Sequence, residues 1–179
     1  WSTTYFPLQQ FGLKLKFVDI DLETLNYDLE ALKSSLTKKT KMIVVVNLLG
    51  NSNDFDKIND IIANKNVIIF EDNCESLGTT TNKKLLGTYG LMSSSSFYVA
   101  HHISTIEGGM VVTGSDKVDE QLKLIRANGW DRNLTQLQKK RIRKKNKIYN
   151  EFEAKYTFYD LGYNLRPTEI TGFLGCGST

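Results

Sequence analysis

Both histidines of the chain, His101 and His102, stand side by side in a segment, residues 93–110, that is also rich in hydroxyl groups and glycine. Hydroxyls and backbone amides in such a segment can hold a phosphate. An imidazole beside them titrates near neutral pH and can move protons. A metal site is the rival interpretation, but adjacent histidines rarely bind one ion well and spacing fixes no third ligand. An ordinary packed or capped histidine pair is the remaining alternative.

A second group of reactive side chains follows the apolar run 67–70, where the chain continues into Glu71, Asp72 and Glu75. A short, fully apolar run predicts a buried parallel strand, and open α/β sheets bind ligands at the carboxyl ends of their strands. A carboxylate there can pair with the cationic ring nitrogen of a cofactor. Asp72 is the best candidate. The structural alternative, which this segment alone leaves open, is that Asp72 or Glu75 only caps the next helix.

The elements that must position these groups alternate along the chain. Four apolar or β-branched runs predict strands, at residues 17–20, 42–46, 67–70 and 110–113. Three segments with helical spacing predict helices, at residues 29–36, 54–62 and 118–125. Such alternation predicts an α/β fold in which helices flank a mostly parallel central sheet in three layers.

The polar stretch 136–155 interrupts this alternation and contains the basic run 139–145. A solvated loop or helix face is the favoured interpretation, because runs of charge usually lie on the surface. The alternative is that the run reaches the phosphates of a nucleotide ligand.

Composition excludes several classes of protein. Among 179 residues, 23 Lys and Arg against 20 Asp and Glu give a net charge of +3, which does not predict a nucleic-acid partner. No apolar run approaches the ~20 residues that cross a bilayer, and no leader opens the chain, so we expect a cytoplasmic protein without membrane contact. Cys74 and Cys176 predict reduced thiols. The start at Trp1 without Met predicts a fragment.

Several of these segments resemble the DegT/DnrJ/EryC1/StrS family of fold-type I sugar aminotransferases, whose members serve antibiotic and lipopolysaccharide biosynthesis. The resemblance lies in residues 1–4, 17–21, 71–78 and 96–109. It implies that residues 1–179 are the large cofactor-binding domain of an aminotransferase-like fold, incomplete at both ends. It also implies a homodimer with shared active sites.

In this comparison His101 falls where the family has the lysine that forms a Schiff base with pyridoxal phosphate, and Glu107-Gly108-Gly109 keeps the family register. An imidazole cannot form that Schiff base, although it can act as a base. The combination resembles the family's 3-dehydratases, which hold pyridoxamine phosphate noncovalently and act on nucleotide-linked 4-keto-6-deoxy sugars. Residues 73–76, 97–102, 128–134 and 162–167 look most like the branch that uses GDP-4-keto-6-deoxymannose.

The resemblance assigns roles to further residues around the cofactor. Trp1 would stack on its ring, core packing being the structural alternative for an aromatic at a strand end. Asp72 would keep the ring nitrogen protonated, Glu75 would line the polar edge of the ring, and Ser96 would hold the phosphate. Asn164 would reach the cofactor phosphate of the neighbouring subunit.

The same resemblance makes His101 the catalytic base, Arg166 a contact for substrate phosphates, and glutamate the amino donor. One dehydratase subgroup carries an iron–sulfur cluster on four cysteines, and the 2 cysteines of this chain predict a cluster-free enzyme. Two other functions stay open. One is a pyridoxal-phosphate sugar aminotransferase that tolerates His101, and the other is a catalytically dead paralogue that binds a nucleotide sugar.

Overall fold

The computed structural model describes residues 1–63 and 65–177, in two compact units, Trp1–Val112 and Thr113–Gly177. Asn64, Ser178 and Thr179, which belong to the predicted domain 1–179, lie outside the described residues. Within the described part, no helix combines the length and the apolar character that a membrane span requires.

The first unit is built on a sheet with two parallel strand pairings. The strands described are β1 (Met42–Val46), β2 (Ile68–Asp72), β3 (Thr80–Thr81), β4 (Lys84–Leu85), β5 (Met92–Ser96) and β6 (Gly109–Thr113). The main sheet has four strands in the order β1-β2-β5-β6. β2 pairs in parallel with both β1 and β5, whereas β3 and β4 form a separate antiparallel hairpin. The prediction of a mostly parallel sheet is confirmed.

The α-helices described in this unit are α1 (Ser2–Gln10), α2 (Leu29–Ser35) and α3 (Phe55–Ile62). Two of them, α2 and α3, begin at acidic caps and pack apolar side chains into the core against the sheet. The side chain of Asp28 accepts hydrogen bonds from the first turn of α2, and that of Asp54 does so for α3, which satisfies amides that a helix start leaves unpaired. Burial of each large apolar side chain contributes roughly 1.5–3 kcal/mol. The core consists of Leu32, Ile43, Val45, Phe55, Ile58, Ile69 and Leu86.

Two strand assignments differ from the sequence-based prediction. Residues 17–20 form no ladder in the described structure, and Ile20 makes a single bridge to Tyr27. Conversely, the serine-rich run of β5 is a strand, although it lacks the apolar pattern of one. Its polar side chains are accommodated because they find partners, as when the hydroxyl of Ser93 donates to the carbonyl of Gly87 at 3.0 Å.

The second unit is helical, with α4 (Asp116–Ile125), α5 (Gln136–Lys145), α6 (Glu151–Lys155) and α7 (Glu169–Gly177). The basic run 139–145 lies on α5, so it is part of a helix. Contact of this run with the phosphates of a nucleotide stays an open alternative. A capping box between Thr135 and Gln138 starts this helix. Inside the unit, Nε of Arg143 donates to the buried carboxylate of Asp131 at 2.6 Å. A small core of Leu124, Leu134 and Ile142, with Tyr159 against it, holds the helices together.

Candidate active site

The carboxyl ends of two neighbouring parallel strands bring the predicted residues of the first unit to one edge of the sheet. Asp72 ends β2 and Ser96 ends β5, with Asp72 opposite Ser94 in the parallel register. Glu75 lies in the turn after β2 and His101 in the loop after β5. Since this edge is where open α/β sheets bind ligands, we take it as the candidate active site.

Asp72 is held at both carboxylate oxygens. It is 8% exposed, its Oδ2 accepts a hydrogen bond from the hydroxyl of Thr4 at 2.8 Å, and its Oδ1 accepts one from the backbone N–H of Cys74 at 3.2 Å. In the described structure, residues 73–79 form turns and no helix begins there. The alternative that Asp72 or Glu75 caps a following helix is therefore wrong.

The preceding carboxylate, Glu71, has a structural role. It is fully buried and accepts hydrogen bonds from the backbone N–H groups of Gly87, Tyr89 and Gly90 at 2.6–2.7 Å. These bonds fix the loop that leads into β5. A Cβ at Gly90 would lie 2.5 Å from the carbonyl oxygen of Ile69, so this loop approaches β2 too closely for a larger residue.

Cys74 lies between the two strand ends. Burial raises the pKa of its thiol to about 12, with a further contribution from the neighbouring carboxylate of Asp72. Hydrogen bonding to Ser94 and to the backbone of Ser96 acts in the opposite direction. Cys74 is thus a neutral thiol at physiological pH, and within the described residues no three potential metal ligands come together.

Glu75 connects the turn after β2 to the turn after β1, because its Oε2 accepts from the backbone N–H of Leu49 at 3.2 Å. Buried amides support the same junction. The side chain of Asn47 donates to that of Asn73 at 2.7 Å, and the hydroxyl of Ser76 donates to the carbonyl of Asn47. The turn that carries Glu75 is therefore held by side-chain hydrogen bonds to the segment that follows β1.

The loop that carries His101 is closed at its base. The backbone N–H of Phe97 donates to Gly108 at 2.9 Å, and that of Thr105 donates back to Phe97 at 2.9 Å. Within the loop, the His101 ring is half-buried and meets the ring of Tyr98 edge-on at 6.4 Å. At the start of the loop, the oxygen of Ser96 accepts from the N–H of Tyr98 at 3.2 Å, which leaves the hydroxyl hydrogen for a second partner.

Trp1 precedes helix α1 as its N-cap residue, so it does not stand at the end of a strand as expected. Its side chain is 91% exposed, which excludes the alternative that it packs in the core of the described unit. The exposed indole can offer a face to a flat ring. Its stacking on a cofactor stays a prediction.

Asn164 and Arg166 belong to the second unit. The backbone of Asn164 forms a bridge with Ala127, and its side-chain oxygen accepts from Nε of Arg166 at 3.0 Å. Both residues are exposed. Their proposed contacts with the cofactor and substrate phosphates stay predictions, as do those of the candidate residues in the first unit.

Sequence reasoning missed Thr4 as a partner of Asp72 and the amide junction at Asn47 and Asn73. Thr4 precedes its partner by 68 positions, and no local pattern reports such a contact. Asn47 carried a weak signal, since it directly follows the predicted strand 42–46, whereas Asn73 lies three positions after the predicted strand 67–70.

Comparison with known proteins agrees with the fold. The profile of the "DegT/DnrJ/EryC1/StrS aminotransferase family" matches residues 1–178. GDP-4-keto-6-deoxy-D-mannose 3-dehydratase of Escherichia coli O55:H7 is 51% identical over 180 residues, which are 98% of this chain and 44% of that protein. The chain thus spans less than half the length of this relative.

Two solved structures of GDP-4-keto-6-deoxymannose-3-dehydratase are similar, each with a TM-score of 0.88 and 49% identity over 99% of this chain and 45% of theirs. One is a histidine-to-asparagine mutant with bound GDP-perosamine. The other contains a trapped PLP-glutamate geminal diamine. These likenesses confirm the predicted aminotransferase-like fold, and the chain belongs to the DegT/DnrJ/EryC1/StrS aminotransferase family.

Proposed function

We propose that this chain is the cofactor-binding part of a pyridoxamine-phosphate-dependent 3-dehydratase that removes the C3 hydroxyl of GDP-4-keto-6-deoxymannose. The observation that carries the proposal is His101, which stands where the family has its lysine, on the same sheet edge as Asp72. An imidazole can move protons but cannot hold pyridoxal phosphate covalently. The identity of 51% to a dehydratase of this specificity supports the proposal.

The side chains at the sheet edge fit a pyridine ring that carries a phosphate. Asp72 offers an oriented carboxylate to a protonated ring nitrogen, and Ser96 offers a hydroxyl to the phosphate at the end of β5. Trp1 has an exposed ring for stacking. We assign Glu75 to the polar edge of the ring.

When bound, pyridoxamine phosphate supplies an amine that condenses with the C4 carbonyl of the sugar and a pyridinium ring that accepts electrons. A ring nitrogen of the His101 imidazole would take up a proton from the C4′ carbon of the cofactor. It then delivers this proton to the departing C3 hydroxyl, which leaves as water. Asp72 keeps the proton on the ring nitrogen in place throughout. Hydrolysis would then release a 3-deoxy sugar and ammonia and leave the cofactor as the aldehyde, pyridoxal phosphate.

We also propose glutamate as the donor that restores the amine, and the PLP-glutamate adduct of a relative supports this choice. The relative with bound GDP-perosamine supports a GDP-linked substrate. In the proposed homodimer, Asn164 reaches the cofactor phosphate across the subunit boundary and Arg166 contacts substrate phosphates. Both co-substrates are charged metabolites, which is consistent with the cytoplasmic location that we propose.

The test uses a full-length protein that carries this segment, incubated with pyridoxal phosphate and glutamate. We expect the absorbance of the cofactor to shift to that of the pyridoxamine form. Addition of GDP-4-keto-6-deoxymannose should then release ammonia and a 3-deoxy sugar. His101→Asn should abolish both products, whereas His102→Asn, a matched change at the exposed neighbour, should retain them. A 4-amino sugar as the product would overturn the proposal in favour of an aminotransferase, and failure to bind cofactor would favour a dead paralogue.

A further inference from the structure

The hydrogen bond from Thr4 to Asp72 joins the first helix to the end of β2. Together with the N–H of Cys74, it gives each oxygen of the buried carboxylate one donor. The torsion χ2 of an aspartate is broadly distributed when nothing restrains it. Donors at both oxygens remove that freedom and leave the remaining lone pairs for a further donor.

Helix α1 is joined to the end of β2 by this bond. In the described part of the chain, α1 buries no side chain, and Trp1 makes no capping hydrogen bond with its own side chain. The ring of Tyr5 contacts Phe17, which lies outside the strands of the sheet. The hydroxyl of Thr4 thus forms a direct hydrogen bond between α1 and the end of β2.

We propose that Thr4 is a positioning residue for the cofactor, which aims Asp72 at the ring nitrogen and keeps Trp1, at the start of the same helix, beside the ring. This inference rests on the proposed function, because it requires a pyridine ring at Asp72. Partners that orient a ligating group without touching the ligand typically change affinity or activity by about 10-fold to 100-fold when they are lost.

Three substitutions separate the hydroxyl from the shape of the side chain. Thr4→Val removes the hydroxyl and keeps the β-branched shape, Thr4→Ser keeps the hydroxyl, and Thr3→Val makes the same change at the exposed neighbouring position. Thr4→Ala removes the hydroxyl by a second route, with a residue that favours helix, in case the valine variant does not fold.

Binding of pyridoxamine phosphate to the full-length protein is measured by equilibrium dialysis, and the ring absorbance of the bound cofactor is followed against pH. We expect Thr4→Val and Thr4→Ala to weaken binding about tenfold. They should also lower the pH at which the bound ring nitrogen loses its proton, because a poorly aimed carboxylate stabilises the pyridinium less. Thr4→Ser should stay close to the parent in both measurements, and Thr3→Val should not differ from it.

Unchanged binding and titration in both hydroxyl-free variants would overturn the role of Thr4. A loss that Thr4→Ser shares would overturn it as well, since that result indicates packing rather than hydrogen bonding. The two proposals fail in different ways. If the parent protein binds no pyridoxamine phosphate, both proposals are overturned. If the parent binds it and dehydrates the sugar, and the Thr4→Val variant behaves in the same way, only the role of Thr4 is overturned.

Discussion

Glu71 and Asp72 are consecutive carboxylates of β2, and the alternation of side chains along a strand sends them to opposite faces of the sheet. Glu71 is fully buried and accepts hydrogen bonds from three backbone N–H groups of the loop before β5. Asp72 accepts one from a side-chain hydroxyl and one from the turn that follows it. Glu71 therefore holds the loop before β5 in place, and Asp72 is oriented at the edge of the sheet where a ligand binds.

Glu71→Gln is expected to destabilise the protein. The amide oxygen can keep the two bonds that Oε1 now accepts from Tyr89 and Gly90, but its NH2 group faces the N–H of Gly87, which now donates to Oε2. A buried donor without a partner costs about 1–3 kcal/mol, so the free energy of unfolding should fall by about 2 kcal/mol. Urea denaturation of the full-length protein measures this loss. Glu30→Gln, at an exposed carboxylate of α2, is the control, and an equally small effect of both changes would contradict the role of Glu71.

Cys74 is expected to resist alkylation while the protein is folded. Its thiol pKa of about 12 leaves almost no thiolate at pH 8, and the thiolate is the reactive form. Iodoacetamide should modify Cys74 in the native protein on the order of a thousandfold more slowly than in the unfolded chain, as followed by peptide mass spectrometry. The exposed Cys176 is the internal comparison. Equal rates for Cys74 in the folded and unfolded protein would contradict the assignment.

The same thiol predicts the direction of a stability change with pH. A pKa raised on folding means that the folded chain keeps a proton that the unfolded chain loses. As the pH rises from about 9 toward 12, the unfolded state is therefore favoured and the contribution of Cys74 to stability decreases. Cys74→Ala should reduce this alkaline loss in denaturant titrations at pH 8 and pH 10, and an unaltered pH dependence would argue against a half-buried neutral thiol.

Gly129→Ala is expected to destabilise the second unit strongly. Gly129 has a φ of +83°, and a Cβ there would lie 2.0 Å from the carbonyl oxygen of Asp160. The left-handed conformation alone costs about 1–2 kcal/mol for a residue with a Cβ, and the backbone contact adds to this cost. Gly172→Ala is the matched control, because no atom lies within 4 Å of its Cβ position and alanine favours helix. Thermal unfolding should show a lower midpoint for the first variant alone.

Strands and helices with periodic apolar residues were predictable, whereas β5 was not. Its serines offer no apolar pattern, and only its place between β2 and β6 makes it a strand. Residues 17–20 show the converse case. Their β-branched and aromatic character predicts a strand, but a strand also needs a neighbour, and in the described structure Ile20 alone makes a bridge.

The candidate site was predictable in part, for a similar reason. Open α/β sheets bind ligands at the carboxyl ends of their strands. Asp72 could therefore be placed at the candidate site from local sequence, because an apolar strand followed by charged residues is a local pattern. The contact between Thr4 and Asp72 spans 68 positions and depends on how α1 meets the sheet, which no local pattern encodes. The role of His101 came from the family resemblance rather than from spacing.

The position of residue 101 relative to the cofactor can be tested by restoring a lysine. His101→Lys supplies a primary amine, which can attach pyridoxal phosphate covalently if the loop places it at the aldehyde carbon. We expect pyridoxal phosphate to stay bound to His101→Lys through borohydride reduction and denaturing gel filtration, and to separate from the parent under the same treatment. His102→Lys places the same amine on the exposed neighbouring residue and should retain far less cofactor. If both lysine variants retained equal amounts of cofactor, the covalent attachment would be nonspecific. If neither variant retained cofactor, residue 101 would not face the aldehyde, and another residue of the loop would have to be the base.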